Sequence, residues 1–562
     1  MKCLCISDFN IEIMGRTLKG LKDGPPIEPV FCSYGQVVDV LLNPDLPCWK
    51  DKPDLLFIWT RPQSIVGAFN KLLHYSDATL KEILTEVDQY ADQIISVIDR
   101  VDTIIVPTWT IPINERGLGI IDYKHPKGLS HALLQMNARL VERLQGYNSI
   151  YILDASHWMA EDGKNAYTSP MWYMTKSPYS LTVYLEAAND IKTIISALKG
   201  ESKKLLILDL DDTLWGGIVG DDGWKNLRLG GHDPVGEAFV DFQQAIKSLS
   251  KRGIVLGIVS KNEESIALEA IKSHPEMILH IEDFAGWKIN WNDKAQNIVE
   301  LTRQLNLVLS SVVFIDDNPV ERERIRKALP EIFVPEWPKD KMLYREALTK
   351  LRCFDTTAIS KEDSKRAQMY AEERQRKELS RTISSPDEFL KSLEVRITIE
   401  SLLKENLTRA TQLLNKTNQM NLTTRRLSEE EFWEWACQPN HKVWTARVSD
   451  KFGDSGLVGL LSLDIEKESG TILDFVLSCR VFGRKVEDTM LSIAIQYAKE
   501  LNLQEVYARY LPTPKNKPTL YFLERSGMFK QTDTIFGWNL GASYPQSRLV
   551  NILYENDSSE KI

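Results

Sequence analysis

The sequence predicts a multidomain α/β protein in which two parallel sheets precede an α+β domain. A chain of 562 residues is too long for one hydrophobic core, because single domains hold about 100–200 residues. Short apolar runs alternate with helical patterns up to about residue 355, which is typical of parallel sheets covered by helices. Beyond residue 390 strand-like runs follow one another directly, and this favours an α+β arrangement.

The first predicted domain, residues 1–200, contains short apolar runs rich in β-forming residues, with helical patterns between them. The runs are LLFIW (55–59), TIIVPTW (103–109) and SIYILD (149–154), and the helical patterns cover 78–99 and 129–146. The same rhythm begins again after Gly200. We therefore expect a parallel sheet with helices on its faces here and a boundary near residue 200.

The second predicted domain, residues 201–355, repeats the pattern with LLILDL (205–210), IVLGIVS (254–260) and VVFIDD (312–317). Residues 356–395 include the highly charged KEDSKRAQMYAEERQRKEL and predict a solvated helical linker. Residues 396–550 contain strand runs at 442–448, 456–466 and 471–481 before a helix at 485–501. The final ENDSSEKI predicts a disordered tail.

The composition favours a cytoplasmic protein. A net charge of −9 argues against general nucleic-acid binding, which needs clustered cations. No apolar run approaches the roughly 20 residues that span a bilayer, so we expect no membrane segment. The start, MKCLCISDFNIEIMG, has an Asp where a secretory signal is apolar. Seven scattered cysteines without a CxxC pair favour neither a disulfide framework nor zinc.

The most informative stretch is LLILDLDDTLWGG, in which a buried strand ends in Asp209, Asp211 and Asp212. Carboxylates gathered at a strand end repel one another unless a cation offsets them. The carboxyl edge of a parallel sheet is also where α/β folds bind ligands. An alternative is that these residues only cap the next helix, which one might do and three together seldom would. The pattern therefore predicts a cation-dependent site.

Further polar groups follow the later strands in an order that suits phosphoryl chemistry. Ser260 ends the second strand, Lys294 begins a helix, and Asp316 and Asp317 end the third strand. A nucleophilic carboxylate, a hydroxyl, a lysine and further carboxylates are the groups that handle a phosphoryl unit. Lys288 is an alternative for the lysine, but it lacks the helix-start context.

This order resembles the haloacid-dehalogenase (HAD) superfamily, with DxDxT followed by Ser, Lys and an acidic pair. The resemblance implies that Asp209 is the nucleophile and Asp211 the general acid/base. It implies that the phosphoryl group is met by Thr213, Ser260 and Lys294. It also implies Mg²⁺ held by Asp209, the Asp211 carbonyl, and Asp316 or Asp317, through oxygen ligands of the kind that Mg²⁺ prefers.

A second informative stretch, TILDFVLSCRVFGRKVEDTML, joins a strand to a helix through Arg480–Lys485. It is similar to the pyrophosphate-binding loop of GNAT acyltransferases, in which backbone N–H groups at a helix start face an anion. Lys485 stands where that pattern has Gly or Ala. A plain strand–helix connection is the alternative. The resemblance implies that the phosphate of a pantetheine arm meets Arg480, Gly483, Arg484 and Lys485.

Together these regions resemble the FkbH-like family, also called HAD subclass IIIC, over about residues 200–550. The shared motifs are LDLDDTLWGGIVGDDG, SKN, WNDKAQNI, FIDDNPVERE, NKTNQMNLTTRR, FGDSGLVG and LSCRVFGRKVE. The resemblance implies an enzyme that loads a glyceryl unit from 1,3-bisphosphoglycerate onto an acyl carrier protein, in polyketide or related biosynthesis. Alternatives are a phosphatase or acyltransferase for a sugar or cell-surface precursor without a carrier, and a non-catalytic scaffold.

Cys479 is the candidate thiolate, because it neighbours Arg480 at a predicted helix start, a setting that lowers a thiol pKa. The alternative is a small buried core residue. Four polar residues of the same half, Asn415, Thr417, Asn418 and Asn421, either line a pocket or cap a turn.

Residues 1–200 have a looser resemblance to the flavodoxin-like SGNH hydrolase fold. Asp154 and His157 have its DxxH spacing, and Ser7 follows the first strand, but the usual GDS order is changed and no GxND segment follows. We expect loop or cap roles for Asp154 and His157, and a docking or scaffold role for this domain.

Overall fold

The structure is a computed structural model that describes residues 1–357, 366–383, 385–513 and 515–555. The predicted tail lies almost wholly outside these residues, as does the side chain of Cys479. The described chain forms two parallel sheets and one mixed sheet, in chain order. This confirms the predicted α/β fold class. No helix in these ranges combines the length and apolar character needed to cross a membrane.

The first sheet has five parallel strands in the order β2-β1-β3-β4-β5. Alternate residues of its central strands join two cores, one on each face, so helices cover both faces. The strands are β1 (Lys2–Ser7), β2 (Glu28–Phe31), β3 (Leu55–Trp59), β4 (Thr103–Pro107) and β5 (Ile150–Leu153).

Three helices of this region, the sixth, eighth and tenth, begin with a side-chain cap. Thr79 and Glu82, for example, form a capping box that starts the sixth helix. The helices are α1 (Glu12–Gly20), α2 (Val37–Leu42), α3 (Pro47–Lys50), α4 (Pro62–Ile65), α5 (Gly67–Leu73), α6 (Leu80–Ile95), α7 (Leu129–Leu144), α8 (Ala155–Asp162), α9 (Ser169–Thr175) and α10 (Leu181–Leu198).

The second sheet has four parallel strands in the order β8-β7-β6-β9. Its strands are β6 (Leu205–Leu208), β7 (Val255–Ser260), β8 (Phe284–Ile289) and β9 (Val312–Ile315). Its helices are α11 (Val219–Asp222), α12 (Pro234–Lys251), α13 (Glu264–Ser273), α14 (Lys294–Gln304), α15 (Pro319–Ala328) and α16 (Tyr344–Thr349). Because β6 lies between β7 and β9, the polar residues that end these strands meet at one edge.

The predicted linker contains α17 (Arg366–Thr382) and α18 (Pro386–Leu393). It differs from a solvated connection, because Ala371, Glu372 and Arg376 of α17 are buried. Leu390 and Leu393 of α18 belong to the core of the third sheet. Glu373, Arg374 and Arg376 of α17 have partners in the folded chain, which the composition of the helix alone does not reveal.

The third sheet has nine strands, of which eight follow the order β16-β17-β15-β14-β13-β12-β10-β18, while β11 pairs with β14. Its strands are β10 (Arg396–Ser401), β11 (Met420–Asn421), β12 (His441–Asp450), β13 (Gly453–Glu466), β14 (Ser469–Leu477), β15 (Glu505–Arg509), β16 (Phe529–Lys530), β17 (Ile535–Asn539) and β18 (Asn551–Glu555). Its helices are α19 (Lys404–Lys416), α20 (Glu429–Ala436), α21 (Val486–Glu500) and α22 (Lys517–Arg525). Since β18 pairs with β10, this sheet extends past the predicted end at 550.

Candidate active site

Three carboxylates meet at the carboxyl edge of the second sheet. Asp209 follows β6, and Asp316 and Asp317 follow the adjacent strand β9. Each offers one oxygen, and these oxygens all lie within 4.8 Å of one another. Asp209 and Asp316 are buried, at 8% and 0% exposure. This is the gathering that the strand ends predict.

Lys294 supplies the cation of this cluster. Asp293 caps α14 by accepting a hydrogen bond from the backbone N–H of Ala295, so Lys294 stands at the start of the helix. Its Nζ lies 2.6 Å from Asp316 Oδ2 and 3.0 Å from Asp209 Oδ2. Burial lowers the pKa of Lys294, but the two carboxylates outweigh burial and raise it overall. The lysine therefore stays charged.

One ammonium group does not neutralise these carboxylates, whose oxygens lie close enough together to hold a further cation. Asp209 Oδ1 is buried and has no hydrogen-bond partner among the described residues, which is costly for a carboxylate oxygen. Burial, and then the charge of Asp209, raise the pKa of Asp316. An orphaned oxygen within a set of carboxylate donors fits a hard divalent cation such as Mg²⁺.

Asp211 is held by three donors. Its Oδ1 accepts hydrogen bonds from Trp215 Nε1 at 2.9 Å and from the Val219 backbone N–H at 3.0 Å. Its Oδ2 accepts one from Asn262 Nδ2 at 2.7 Å. Burial raises the pKa of Asp211 in spite of these donors. A fixed carboxyl group with a raised pKa is suited to act as a general acid.

The other predicted side chains lie as follows. The buried hydroxyl of Thr213 accepts a hydrogen bond from the Asp317 backbone N–H at 3.2 Å, so it supports the acidic pair, whereas the sequence assigned it to phosphate. Ser260 ends β7 and is buried. Lys288, the alternative lysine, pairs with Glu300 at 2.9 Å instead of joining the carboxylates.

Sequence reasoning did not assign three further residues to this site. Asn262, which donates to Asp211, was noted only as a polar residue after Ser260 and Lys261. Arg322 donates to the backbone carbonyls of the acidic pair at 2.8 Å each. Lys341 donates to the backbone carbonyl of Asp212 at 2.7 Å. Its segment, PKDKM, has no pattern that assigns it to this site.

The loop before α21 is formed, but its anion-binding groups are already engaged. The Gly483 backbone N–H donates to Glu487 Oε1 at 2.8 Å, and Glu487 is buried. Lys485 has a left-handed backbone, with φ of 63°, and pairs with Asp488 at 3.1 Å. An internal carboxylate therefore takes the N–H that the resemblance assigned to a phosphate.

Arg484 points towards α17. Its guanidinium donates to Asp450 Oδ2 at 3.1 Å and to Glu373 Oε2 at 2.9 Å, and its side chain is only 8% exposed. Arg480 contacts Met369 Sδ at 2.7 Å. These contacts join the loop to the linker helix, an arrangement that the motif did not predict.

The four polar residues named around β11 close a turn. Asn415 Nδ2 donates to the backbone carbonyl of Leu427 at 2.7 Å. Asn421 is fully buried, and its Nδ2 donates to the Thr417 carbonyl at 3.0 Å. Asn418 accepts from Arg426. The predicted alternative of turn capping is what these contacts describe.

In the first region, Ser7, Asp154 and His157 do not form a hydrogen-bonded triad in the described structure. The Ser7 hydroxyl accepts from the Phe9 backbone N–H at 3.1 Å. Asp154 caps α8 by accepting from the Ser156 backbone N–H. His157 has an 85% exposed side chain whose Nε2 lies 3.8 Å from Asp154. The expected cap role of Asp154 is confirmed.

No family model and no curated protein matches the chain. Among solved structures, acetyltransferases from Vibrio cholerae (spermidine N-acetyltransferase, in complex with CoA and spermine) and Escherichia coli (ribosomal-protein-S18-alanine N-acetyltransferase) are 16% and 11% identical. They cover 26% and 27% of this chain, and the chain covers 96% and 97% of theirs. The TM-scores of these two structures are 0.22 and 0.21.

A stronger likeness is to the N-terminal part of BF1531 from Bacteroides fragilis, which contains a phosphatase domain and was crystallised with Mg²⁺. The identity is 31% and the TM-score 0.58, over 64% of this chain and 94% of that chain. At that identity and coverage, the chain belongs to the same family as the phosphatase-domain protein BF1531.

Proposed function

We propose that this chain is a Mg²⁺-dependent phosphatase and acyltransferase of the HAD type, with its phosphoryl site at the carboxyl edge of the second sheet. The observation that carries the proposal is the cluster of Asp209, Asp316 and Asp317 beside Lys294, in which one buried Asp209 oxygen has no partner. The Mg²⁺ bound to the related BF1531 phosphatase domain supports the choice of metal.

Asp209 is the nucleophile of the proposed reaction. Its Oδ1 is unpaired, while Oδ2 stays beside Lys294. A bond forms between a carboxylate oxygen of Asp209 and phosphorus as the bond from phosphorus to the ester oxygen breaks, which leaves an aspartyl phosphate. Lys294 and the hydroxyl of Ser260 stabilise the phosphoryl oxygens.

Asp211 is the general acid and then the general base of the proposed reaction. It gives its proton to the departing ester oxygen, and then takes one from the water that hydrolyses the aspartyl phosphate. Burial raises the pKa of Asp211, which favours the protonated form needed for the first step. The hydrogen bonds from Trp215 and Asn262 fix the direction of the carboxyl group.

The metal would be held by Asp209, Asp316 and Asp317, with the backbone carbonyl of Asp211. When bound, Mg²⁺ would offset the charge on the phosphoryl oxygens, which one lysine does not do alone. Thr213 supports this set through the Asp317 backbone.

The proposed substrate is 1,3-bisphosphoglycerate or a similar phosphorylated hydroxyacyl phosphate, as the FkbH-like resemblance implies. Its two phosphate groups leave in two separate steps. A thiolate forms a bond to the acyl carbon and displaces the acyl phosphate, and Asp209 removes the ester phosphate. The acyl unit then passes as a thioester to the phosphopantetheine thiol of an acyl carrier protein, in polyketide or related biosynthesis.

Cys479 is the proposed thiol, and Arg480, Gly483, Arg484 and Lys485 the proposed contacts of the arm's phosphate. Lys485 is the best placed of these, because its side chain is 42% exposed. Arg484 would have to exchange Asp450 and Glu373 for the phosphate. The loop therefore favours contact through one lysine over a closed pyrophosphate cradle.

The test is to incubate the full chain with 1,3-bisphosphoglycerate and measure its intact mass. The wild-type protein should gain one acyl unit, and Asp209→Asn should retain that unit with its ester phosphate. Adding a carrier protein with its phosphopantetheine arm should discharge the wild-type adduct onto the carrier. Cys479→Ala should lose the adduct while keeping phosphomonoester hydrolysis.

Two outcomes would redirect the proposal. An adduct that persists in Cys479→Ala would show that the thiol is structural and that transfer goes directly to the carrier. Hydrolysis that requires Asp209 and Mg²⁺, without any adduct or carrier loading, would favour a sugar or cell-surface precursor as substrate.

A further inference from the structure

Lys341 reaches the phosphoryl site from a segment 129 residues beyond the turn it contacts. It opens a short 3₁₀ turn, Lys341–Leu343, that leads directly into α16. Its Nζ donates to the backbone carbonyl of Asp212 at 2.7 Å, and Tyr344 Oη donates to the same carbonyl at 3.3 Å. Two donors from one segment thus hold one peptide of the DLDDT turn.

The carbonyl that they hold belongs to a residue with an unusual backbone. Asp212 has a φ of 53°, in the left-handed region that non-glycine residues seldom adopt without support. The residue stands between Asp211 and Thr213, so its conformation sets the direction in which both of those side chains leave the turn. The hydrogen bonds that hold the Asp212 carbonyl therefore help to set the geometry of the site.

The segment that supplies the two donors is itself rigid. Tyr344 is 1% exposed, and its ring packs against Phe239, Phe242 and Trp337. Asp340 caps the 3₁₀ turn by accepting a hydrogen bond from the Met342 backbone N–H at 3.0 Å. The aromatic cluster anchors the segment, so the two donors keep a fixed position relative to the sheet.

The ammonium group of Lys341 also lies near the acidic groups that Lys294 does not pair with. It is 3.6 Å from Asp317 Oδ2 and 3.6 Å from Asp212 Oδ1. Lys294 thus pairs with Asp209 and Asp316, and Lys341 lies near Asp212 and Asp317. Lys341 therefore contacts the site in two ways, through its charge and through its hydrogen bond to the Asp212 carbonyl.

We propose that Lys341, together with Tyr344, is a positioning residue of the phosphoryl site. By holding the Asp212 carbonyl it keeps the left-handed turn, and hence the Asp211 carboxyl group, in the direction needed for proton transfer. The inference rests on the proposed phosphatase function and extends it to residues outside the DxDxT motif.

The experiment uses four variants of the full chain: Lys341→Met, Lys341→Arg, Tyr344→Phe, and Lys339→Met as the control on a nearby exposed lysine. Three quantities are measured: kcat and KM for p-nitrophenyl phosphate, the Kd of Mg²⁺ by calorimetry, and deuterium uptake of the peptide over 209–219. Deuterium uptake needs no activity, so it reports the turn directly.

We expect Lys341→Met to lower kcat by about 10-fold to 100-fold, with KM within about twofold, because a small misplacement of a catalytic group costs that much. Uptake over 209–219 should rise. Tyr344→Phe, which changes no charge, should move both readouts in the same direction but less. Lys341→Arg should restore part of kcat, and Lys339→Met should change nothing.

The inference is overturned if kcat and uptake are unchanged in Lys341→Met. It is also overturned if kcat falls while uptake stays the same and Mg²⁺ binds more tightly, since Lys341 would then act only as a counter-ion to Asp317. Increased uptake in a protein whose wild type hydrolyses no phosphomonoester would retain the positioning role and reject the proposed function.

Discussion

The two oxygens of Asp209 lie in different surroundings. One is 3.0 Å from Lys294 Nζ, and the other is buried without a partner. This asymmetry leaves one oxygen of Asp209 available to a cation, while the other is paired with Lys294. Lys294 is therefore central at the scale of single residues, because its ammonium group pairs with two buried carboxylates, Asp209 and Asp316.

We predict that Lys294→Met destabilises the metal-free protein by about 3–5 kcal/mol, because it leaves Asp209 and Asp316 buried without their cation. Hydrolysis should fall by about 100-fold or more, as expected on loss of a group that stabilises the phosphoryl oxygens. Thermal unfolding with and without Mg²⁺, and initial rates, measure the two effects. Mg²⁺ should recover part of the stability.

Lys288→Met is the matched control, since Lys288 pairs with Glu300 away from the carboxylates. It should leave both the rate and the Mg²⁺ dependence unchanged. If Lys294→Met unfolds at the wild-type temperature without metal, Lys294 does not neutralise this cluster.

Much of this site could be predicted because parallel strands bring their ends together. Asp209 and Asp316 follow adjacent strands, and Lys294 begins the helix that comes after strand β8. The order of these residues along the chain was therefore enough to predict that they meet. Lys341 was not predictable, because its contact with Asp212 spans 129 residues and depends on aromatic packing beneath α16. The motif also does not show that the Thr213 hydroxyl accepts a hydrogen bond from the Asp317 backbone N–H.

At the scale of elements, α17 joins the second and third sheets. On one side Arg374 donates to the Phe284 carbonyl at 2.8 Å and stacks over Trp287. On the other side Arg376 forms a two-bond fork with Asp450, at 2.7 and 2.8 Å. Arg484 shares the same carboxylate, so one buried aspartate joins the linker helix to the loop before α21.

We predict that Asp450→Asn weakens this junction strongly. The side chains of Arg376 and Asp450 are 6% and 1% exposed, and removing one member of such a buried pair costs about 3–5 kcal/mol. Differential scanning calorimetry should show a lower midpoint for the transition that includes the third sheet. Arg374→Met should weaken contact with the second sheet in the same assay.

Asp533→Asn is the control, because Asp533 is 95% exposed and pairs with Lys530 at the surface. No measurable shift is expected there, as is usual for surface pairs. An Asp450→Asn protein with the wild-type unfolding profile would contradict the assignment of this carboxylate to the junction.

The sequence predicted the strands that form apolar runs and missed several short or half-exposed ones, for a physical reason. Strands β3, β4, β6 and β7 are buried on both faces and read as continuous apolar runs. The short edge strand β2 is half exposed, so it has no such run. The α17 sequence was interpreted as solvated because its charges find partners only in the folded chain.

At the scale of the whole molecule, the first region packs on the second. Arg352, shortly before the linker, pairs with Asp190 of α10 at 2.7 Å and also with Glu186. We propose that residues 1–200, 201–355 and 396–550 are separate folding units joined by 356–395, with β18 as an added strand of the last. We also propose a docking or scaffold role for the first unit.

We therefore predict that Ser7→Ala and His157→Ala leave phosphomonoester hydrolysis and carrier loading unchanged. The Ser7 hydroxyl accepts a backbone N–H, and His157 is in solvent beside Asp154. Kinetic assays of both variants check this. A fluorophosphonate adduct on the wild-type protein that is lost in Ser7→Ala would contradict it and assign a hydrolase to this unit.

The central claim is that Asp209 forms a bond to phosphorus. The direct measurement is to quench the protein with acid during turnover of a phosphomonoester in Mg²⁺, and to locate any added phosphoryl group by peptide mass spectrometry. We predict one phosphoryl group on Asp209 of the wild-type protein, and none in Asp209→Asn or after metal removal with a chelator. Wild-type rates in Asp209→Asn, or a phosphoryl group on another residue during turnover, would contradict the claim.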